Sequence, residues 1–281
     1  MSQSFGERVR AALRSSGPLC VGIDPHAALL DAWGLPQTAA GVRDFGLRTV
    51  DAAAGRVAIV KPQVSFFERF GSAGIAALED VFAAGRAAGL IVIADAKRGD
   101  IGTTMDAYAE AWLTPGSPLE ADALTVSPYL GVGALDGTFE LAAAHGKGVF
   151  VLAATSNPEA RELQRSATPA GPVVAADVIA ETSRRNASAN RAGEWGSIGV
   201  VIGATVDWAE AGLVPFTPPA PILAPGFGAQ GAGPADLGAR FGAMSECVIA
   251  SESRSILGAG ADGITEAIVT RVAHYQEAGR G

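Results

Sequence analysis

The stretch Leu90-Ile-Val-Ile-Ala-Asp-Ala-Lys-Arg-Gly-Asp-Ile-Gly-Thr-Thr104 runs straight from an apolar segment into Asp95, Lys97, Arg98 and Asp100. A short, unbroken apolar run of this kind reads as a strand buried on both faces, as in parallel sheets. Side chains alternate along a strand, so Asp95 and Lys97 project to one side at its C-terminal end, and Gly99 lets the chain turn before Asp100. Uncompensated charge at the end of a buried strand costs several kcal/mol or more, so this cluster of carboxylates and cations calls for a reason. It is either a structural ion pair in a solvated loop or a catalytic charge array.

The same strand-then-polar pattern recurs on both sides of this stretch. A helix is expected over residues 4–15, stopped by Gly17-Pro18. Leu19-Cys-Val-Gly-Ile23 then reads as a strand ending in Asp24-Pro25, and after helical spacing through 38–53, Val57-Ala-Ile-Val60 ends in Lys61-Pro62. Ile75, Leu78 and Phe82 mark an amphipathic helix leading back to the opening strand. Beyond it, strands are expected at 122–126, 148–152, 198–202, 221–224 and 247–250, with helices at 133–144, 172–191 and 261–277. The fifth strand leads into Ala-Ala-Thr-Ser-Asn-Pro158, and an extended segment covers about 159–197. With no internal repeat or linker, the 281 residues read as one domain.

Composition narrows the class. At 48% hydrophobic and 18% charged the chain is globular, and its net charge of −8 with no basic block argues against nucleic acid or an anionic membrane surface as partner. An anionic substrate must then be met by local cations. The stretch Met1-Ser-Gln-Ser-Phe-Gly-Glu-Arg8 lacks an apolar signal core, and no run reaches membrane-spanning length, so a cytoplasmic protein is expected. Cys20 and Cys247 have no paired spacing, and His26, His145 and His274 form no metal motif, so neither disulfide framework, metal site nor cofactor is expected.

Strands alternating with helices fit either a closed (β/α)8 TIM barrel or an open doubly wound sheet. The barrel is favoured by the strand count and by where the polar residues fall. Asp24, Lys61, Asp95, Lys97, Ser156, Gln230 and Arg254 all sit at or just past C-terminal strand ends, where a barrel carries its catalytic groups. Pro225-Gly-Phe-Gly-Ala-Gln-Gly231 contains a Gly-x-Gly-x-x-Gly spacing, but too few elements follow it for a dinucleotide fold. In a barrel the loops after the seventh and eighth strands form a phosphate site instead. Arg254, in Ser251-Glu-Ser-Arg254, would supply a planar fork for that phosphate. Its alternative is a surface salt bridge with Glu252.

Asp-x-Lys-x-x-Asp continued as Ile-Gly-x-Thr resembles the signature of the orotidine 5'-phosphate decarboxylases. The resemblance extends from Val21-Gly-Ile-Asp24 through Lys61, Asp95–Thr104, Thr155-Ser-Asn-Pro158 and Pro225–Gly231 to Arg254, and points to the longer-chain bacterial branch. It implies that Asp24 holds ribose hydroxyls and that Lys61, Asp95, Lys97 and Asp100 form an alternating charged network. Asp100, Ile101 and Thr104 would reach into the partner's site of a homodimer with shared active sites. Ser156 and Gln230 would meet the pyrimidine, and Pro225, Gln230, Ser253 and Arg254 the phosphate side. Ser253 stands where many members have glycine, so it must permit close backbone approach or donate through its hydroxyl.

The expected reaction is loss of CO2 from orotidine 5'-phosphate, the last step to UMP. The departing group leaves charge on a ring carbon with no good electron sink, so a fixed cation, Lys97, is expected to stabilise it and then protonate the carbon. Two other readings stay open: a magnesium-dependent 3-keto sugar-phosphate decarboxylase of the same superfamily, or a non-catalytic uridine-phosphate-binding barrel. A Schiff-base aldolase using Lys61 or Lys97 fits less well, because flanking carboxylates favour the protonated amine.

Overall fold

The computed structural model describes residues 3–279; Met1 and Ser2, part of the N-terminal stretch read above, lie outside the described residues. Eight strands, β1 (Leu19–Ile23), β2 (Ile59–Pro62), β3 (Ile91–Arg98), β4 (Ala123–Val126), β5 (Gly148–Ala154), β6 (Ile198–Ile202), β7 (Ile222–Pro225) and β8 (Val248–Glu252), pair in sequence order into a closed barrel. Every pairing is parallel, and β8 closes on β1 through Leu19 with Ala250, Cys20 with Ser251 and Val21 with Glu252. The fold is a (β/α)8 TIM barrel. β1 and β6 match the bounds read from the sequence; others shift by one to a few residues, as strand ends do.

Helices cover the barrel wherever the sequence carries an apolar stripe. The helix Gly71–Ala87 buries Leu78, Val81 and Phe82, and Gly260–Ala278 buries Ile264, Ile268 and Tyr275. The alternation is interrupted once. Among the described residues the connection from β6 to β7 contains no helix. Residues 204–205 and 208–212 form turns, and Pro215, Pro218, Pro219 and Pro221, each lacking a backbone donor, bar a helix from the rest of the connection.

The N-terminal helix Phe5–Ser16 closes the bottom of the barrel, with Phe5 fully buried edge-on to Phe150 of β5 at 6.0 Å between ring centroids. Arg8 reaches Asp122 at 2.6 Å, while Lys147 binds Glu120 at 2.7 Å, so the charges there are paired. Cys20 and Cys247 are free and buried. Cys20 pairs in register with Ser251, four residues beyond Cys247, which puts the two cysteines roughly 13 Å apart along the sheet at 3.3 Å per residue. No helix among the described residues is long and apolar enough to cross a membrane.

Gly148 admits Phe5: a Cβ there would lie 2.1 Å from the Phe5 ring. Gly148→Ala is therefore expected to overpack this end and lower stability by about 1–3 kcal/mol, seen as a reduced midpoint in urea unfolding.

Candidate active site

The C-terminal ends of all eight strands open into one cavity of about 300 Å³. Its lining includes Asp24, Lys61, Asp95, Lys97, Ser156, Pro225, Gln230, Ser253 and Arg254, nine residues singled out from the sequence. A larger cavity, of about 600 Å³, lies near the other end of the barrel. Its Lys147 is already engaged by Glu120. Chemistry, not size, selects the first.

Asp95 is the centre of the arrangement. It is 7% exposed, and its Oδ2 accepts a hydrogen bond from Lys61 Nζ at 2.9 Å while its Oδ1 accepts one from Lys97 Nζ at 2.5 Å. Burial alone would raise the Asp95 carboxyl, but the two ammonium groups outweigh it and hold the group well below the usual carboxylate range. Burial alone would likewise lower Lys61; Asp95, then Asp24, outweigh it and hold Lys61 above the usual lysine value. Lys61 is sealed in, whereas the Lys97 side chain is 46% exposed and faces the cavity mouth. Burial pushes the neighbouring Cys20 thiol up to about 12, so it is not a nucleophile at neutral pH.

The strand does not run regularly through this region. Lys97 has φ +49°, a left-handed conformation costly for a residue with a side chain, and the register of β3 on β4 shifts between Ala94 and Arg98. Thr125 of β4 supports the irregularity. Its Oγ1 accepts from the Lys97 backbone N–H at 2.9 Å and lies 3.0 Å from Asp95 Oδ1, to which it donates. Gln63, just past β2, also donates, to the Asp95 carbonyl at 3.2 Å.

Thr125, Gln63 and a third residue, Gln164, escaped the sequence reading. The first two stand at strand ends like the residues that were found, but an uncharged side chain there carries no evident desolvation cost to draw attention. Gln164 ends the short helix Arg161–Gln164 in the extended segment. Its side-chain oxygen accepts from Thr155 N at 2.9 Å and its amide donates to Thr155 Oγ1 at 3.0 Å, fixing the loop beside Ser156.

At the other side of the cavity, the loop Gly226–Ala232 folds back on itself, with Gly228 N donating to Ala232 O and Gly231 N to Gly228 O. Arg254 follows β8 and makes no ion pair among the described residues; Glu252 is buried and bonded elsewhere, so the salt bridge between them is not formed. Ser253 lies against Gly22, and its Oγ, like Asp24 Oδ1, is buried without a hydrogen-bond partner. Asp100, Ile101 and Thr104 do not line the cavity. Asp100 Oδ1 accepts from Ile101 N at 2.8 Å, and Ile101 is 61% exposed. Within one chain the alternating charges stop at Lys97. Among the described residues no group of three or more His, Cys, Asp or Glu side chains is placed to hold a metal ion.

The sequence profile of the orotidine 5'-phosphate decarboxylase / HUMPS family matches residues 17–267. The chain belongs to that family. It is 52% identical over 260 residues to the orotidine 5'-phosphate decarboxylase of Salinispora tropica, with 92% of each chain covered. It is 49% identical over 268 residues to that of Corynebacterium efficiens, covering 93% of this chain and 92% of the relative. A Streptomyces avermitilis crystal structure, provisionally described as an orotidine 5'-phosphate decarboxylase, superposes with TM-score 0.93 at 47% identity, covering 100% of this chain and 98% of its own. By these likenesses the protein is an enzyme, a carboxy-lyase.

The Asp95 carboxyl is depressed in the folded state, so its contribution to stability is present above the unfolded value of about 3.9 and is lost as pH falls below it. Urea-unfolding free energies measured from pH 5 to 2 should fall more steeply for the wild type than for Asp95→Asn.

Proposed function

We propose that this chain converts orotidine 5'-phosphate to UMP and CO2, the last step of UMP synthesis, as a cytoplasmic homodimer. The observation that carries the reading is the Lys61–Asp95–Lys97 array, a buried carboxylate holding a half-exposed ammonium at the cavity mouth. Asp24 Oδ1, unengaged by protein, suits a ribose hydroxyl, and Ser253 Oγ, likewise unengaged, stands next to Arg254 on the phosphate side. Arg254 and the Pro225–Gly231 loop suit the phosphate, and Ser156 and Gln230 the pyrimidine.

In this reading the bond between the ring and its carboxylate breaks and its electron pair stays on the ring carbon. CO2 departs neutral. Lys97 stabilises the developing negative charge and gives its proton to that carbon, and the neutral amine regains a proton from water. Asp95 faces the substrate carboxylate and disfavours the ground state, while Lys61 keeps Asp95 ionised. Binding energy from the phosphate, remote from the reacting carbon, assists the chemical step.

The shared site rests on the surface around Asp100. Ile101 (61% exposed), Tyr129 (77%) and Leu130 (52%) lie on the loops after β3 and β4, which touch through Ser127 N and Arg98 O at 2.7 Å. Large apolar side chains exposed together suit contact with a second copy. In such a dimer Asp100 of one chain would stand beside Lys97 of the other.

Orotidylate consumption followed by ultraviolet absorbance on dialysed protein, with and without chelator, tests the reading. Turnover unaffected by chelator is expected; turnover only with magnesium would favour the sugar-phosphate decarboxylase, and binding without turnover a non-catalytic barrel. Lys97→Ala is expected to lower kcat by roughly 10³-fold or more with the fold intact by circular dichroism. Mixing Lys97→Ala with Asp100→Ala should restore roughly a quarter of wild-type activity, since half of randomly formed dimers are mixed and each carries one intact site.

A further inference from the structure

We propose that Glu252, which lies outside the substrate cavity, is a positioning residue that ties the loops after β7 and β8 together and so sets Arg254; this rests on the phosphate reading above. Side chains alternate along β8. Ser251 lines the cavity, and Glu252 turns the other way into the helix layer, where it is 1% exposed. A carboxylate so far from water needs donors on both oxygens. The Tyr275 hydroxyl donates to Oε1 at 2.8 Å and the Ser255 hydroxyl to Oε2 at 2.6 Å, with Arg271 Nε 3.1 Å from that same Oε2. Burial, and then Glu252 itself, push the Tyr275 phenol far above its ordinary value, so it stays a donor.

Tyr275 and Arg271 belong to the C-terminal helix Gly260–Ala278, and Ser255 immediately follows Arg254. The loop after β7 adds a third segment, through a glycine. At Gly228 (φ +73°) a Cβ would lie 2.3 Å from Ser255 Oγ and 2.6 Å from Glu252 Oε2. Beside it, the Phe227 ring stands edge-on to Tyr275 at 6.1 Å between centroids. The Phe227–Gly228 turn thus rests on the carboxylate, and the turn bearing Arg254 is bonded to it. A bare anion behind a phosphate site would repel the ligand. Arg271 offsets that charge and leaves Arg254 free to face the cavity. A carboxylate that only anchored the helix would affect stability but not the choice between ligands with and without a phosphate.

The test compares inhibition constants of UMP and uridine for Glu252→Ala, Glu252→Gln, Arg254→Ala and the Glu252→Ala/Arg254→Ala double variant. Glu252→Ala is expected to weaken UMP by about tenfold and uridine by less than about twofold, with Glu252→Gln recovering part of the loss. In the Arg254→Ala background the further loss should be less than about threefold, because Glu252 acts through Arg254. Arg254→Ala failing to separate UMP from uridine would overturn the phosphate reading itself. If Arg254→Ala does separate them, but Glu252→Ala weakens both ligands alike or multiplies independently with Arg254→Ala, only the positioning role falls. Should Glu252→Ala not fold, Ser255→Ala, which removes a single hydroxyl, decides: selective loss of UMP affinity supports the role, and no loss overturns it.

Discussion

A carboxylate held between two ammonium groups, away from water, is the constraint on which the rest of this site depends. Asp95 could not stay ionised at 7% exposure without Lys61 and Lys97, and neither lysine would keep its place without Asp95. The three side chains come from β2 and β3, and Thr125 of β4 ties the Asp95 carboxylate to the Lys97 backbone. Only neighbouring parallel strands that end at the same rim can bring these groups together. The left-handed backbone at Lys97 fits the same picture: an unfavourable conformation, held by a hydrogen bond to Thr125, at the one cation the array leaves half exposed.

The two ends of the barrel divide the work. At the bottom, Phe5 fills the floor against Phe150, and Arg8, Asp122, Lys147 and Glu120 satisfy one another's charge. At the top, Asp24 Oδ1 and Ser253 Oγ lack protein partners, and Arg254 makes no ion pair among the described residues. Those unengaged groups line the cavity at the rim where a barrel enzyme carries its site. Across the upper rim the charge array and the glycine loop lie apart, which suits a substrate gripped at one end and transformed at the other.

Most of the architecture was legible in the chain because a parallel barrel strand leaves a plain record. It is a short apolar run, and where it ends at the active rim a polar residue follows. Asp24, Lys61, Asp95, Ser156 and Arg254 were found that way. The connection between β6 and β7 was given no element by the pattern, and among the described residues it holds turns and no helix, with prolines crowding its second half. The alternative of pairing Arg254 with Glu252 is not formed, for a geometric reason: alternation along β8 sends Glu252 outward, to Tyr275 and Arg271.

By itself the sequence determined the fold class, and which charged residues gather at the C-terminal rim of the strands. Each of these follows from local patterning and from the desolvation cost that makes a misplaced charge conspicuous. Tertiary structure alone decided which neutral groups serve those charges. Thr125, Gln63 and Gln164 act across strands or loops, and a hydroxyl or amide is equally at home in any solvated turn, so nothing near them in the chain marks their partners. Tertiary structure also sets Asp100 outside the cavity of its own chain. Close as it stands to Lys97 along the chain, its carboxylate accepts from Ile101 N and caps its own loop, because the backbone turns away from the strand after Arg98.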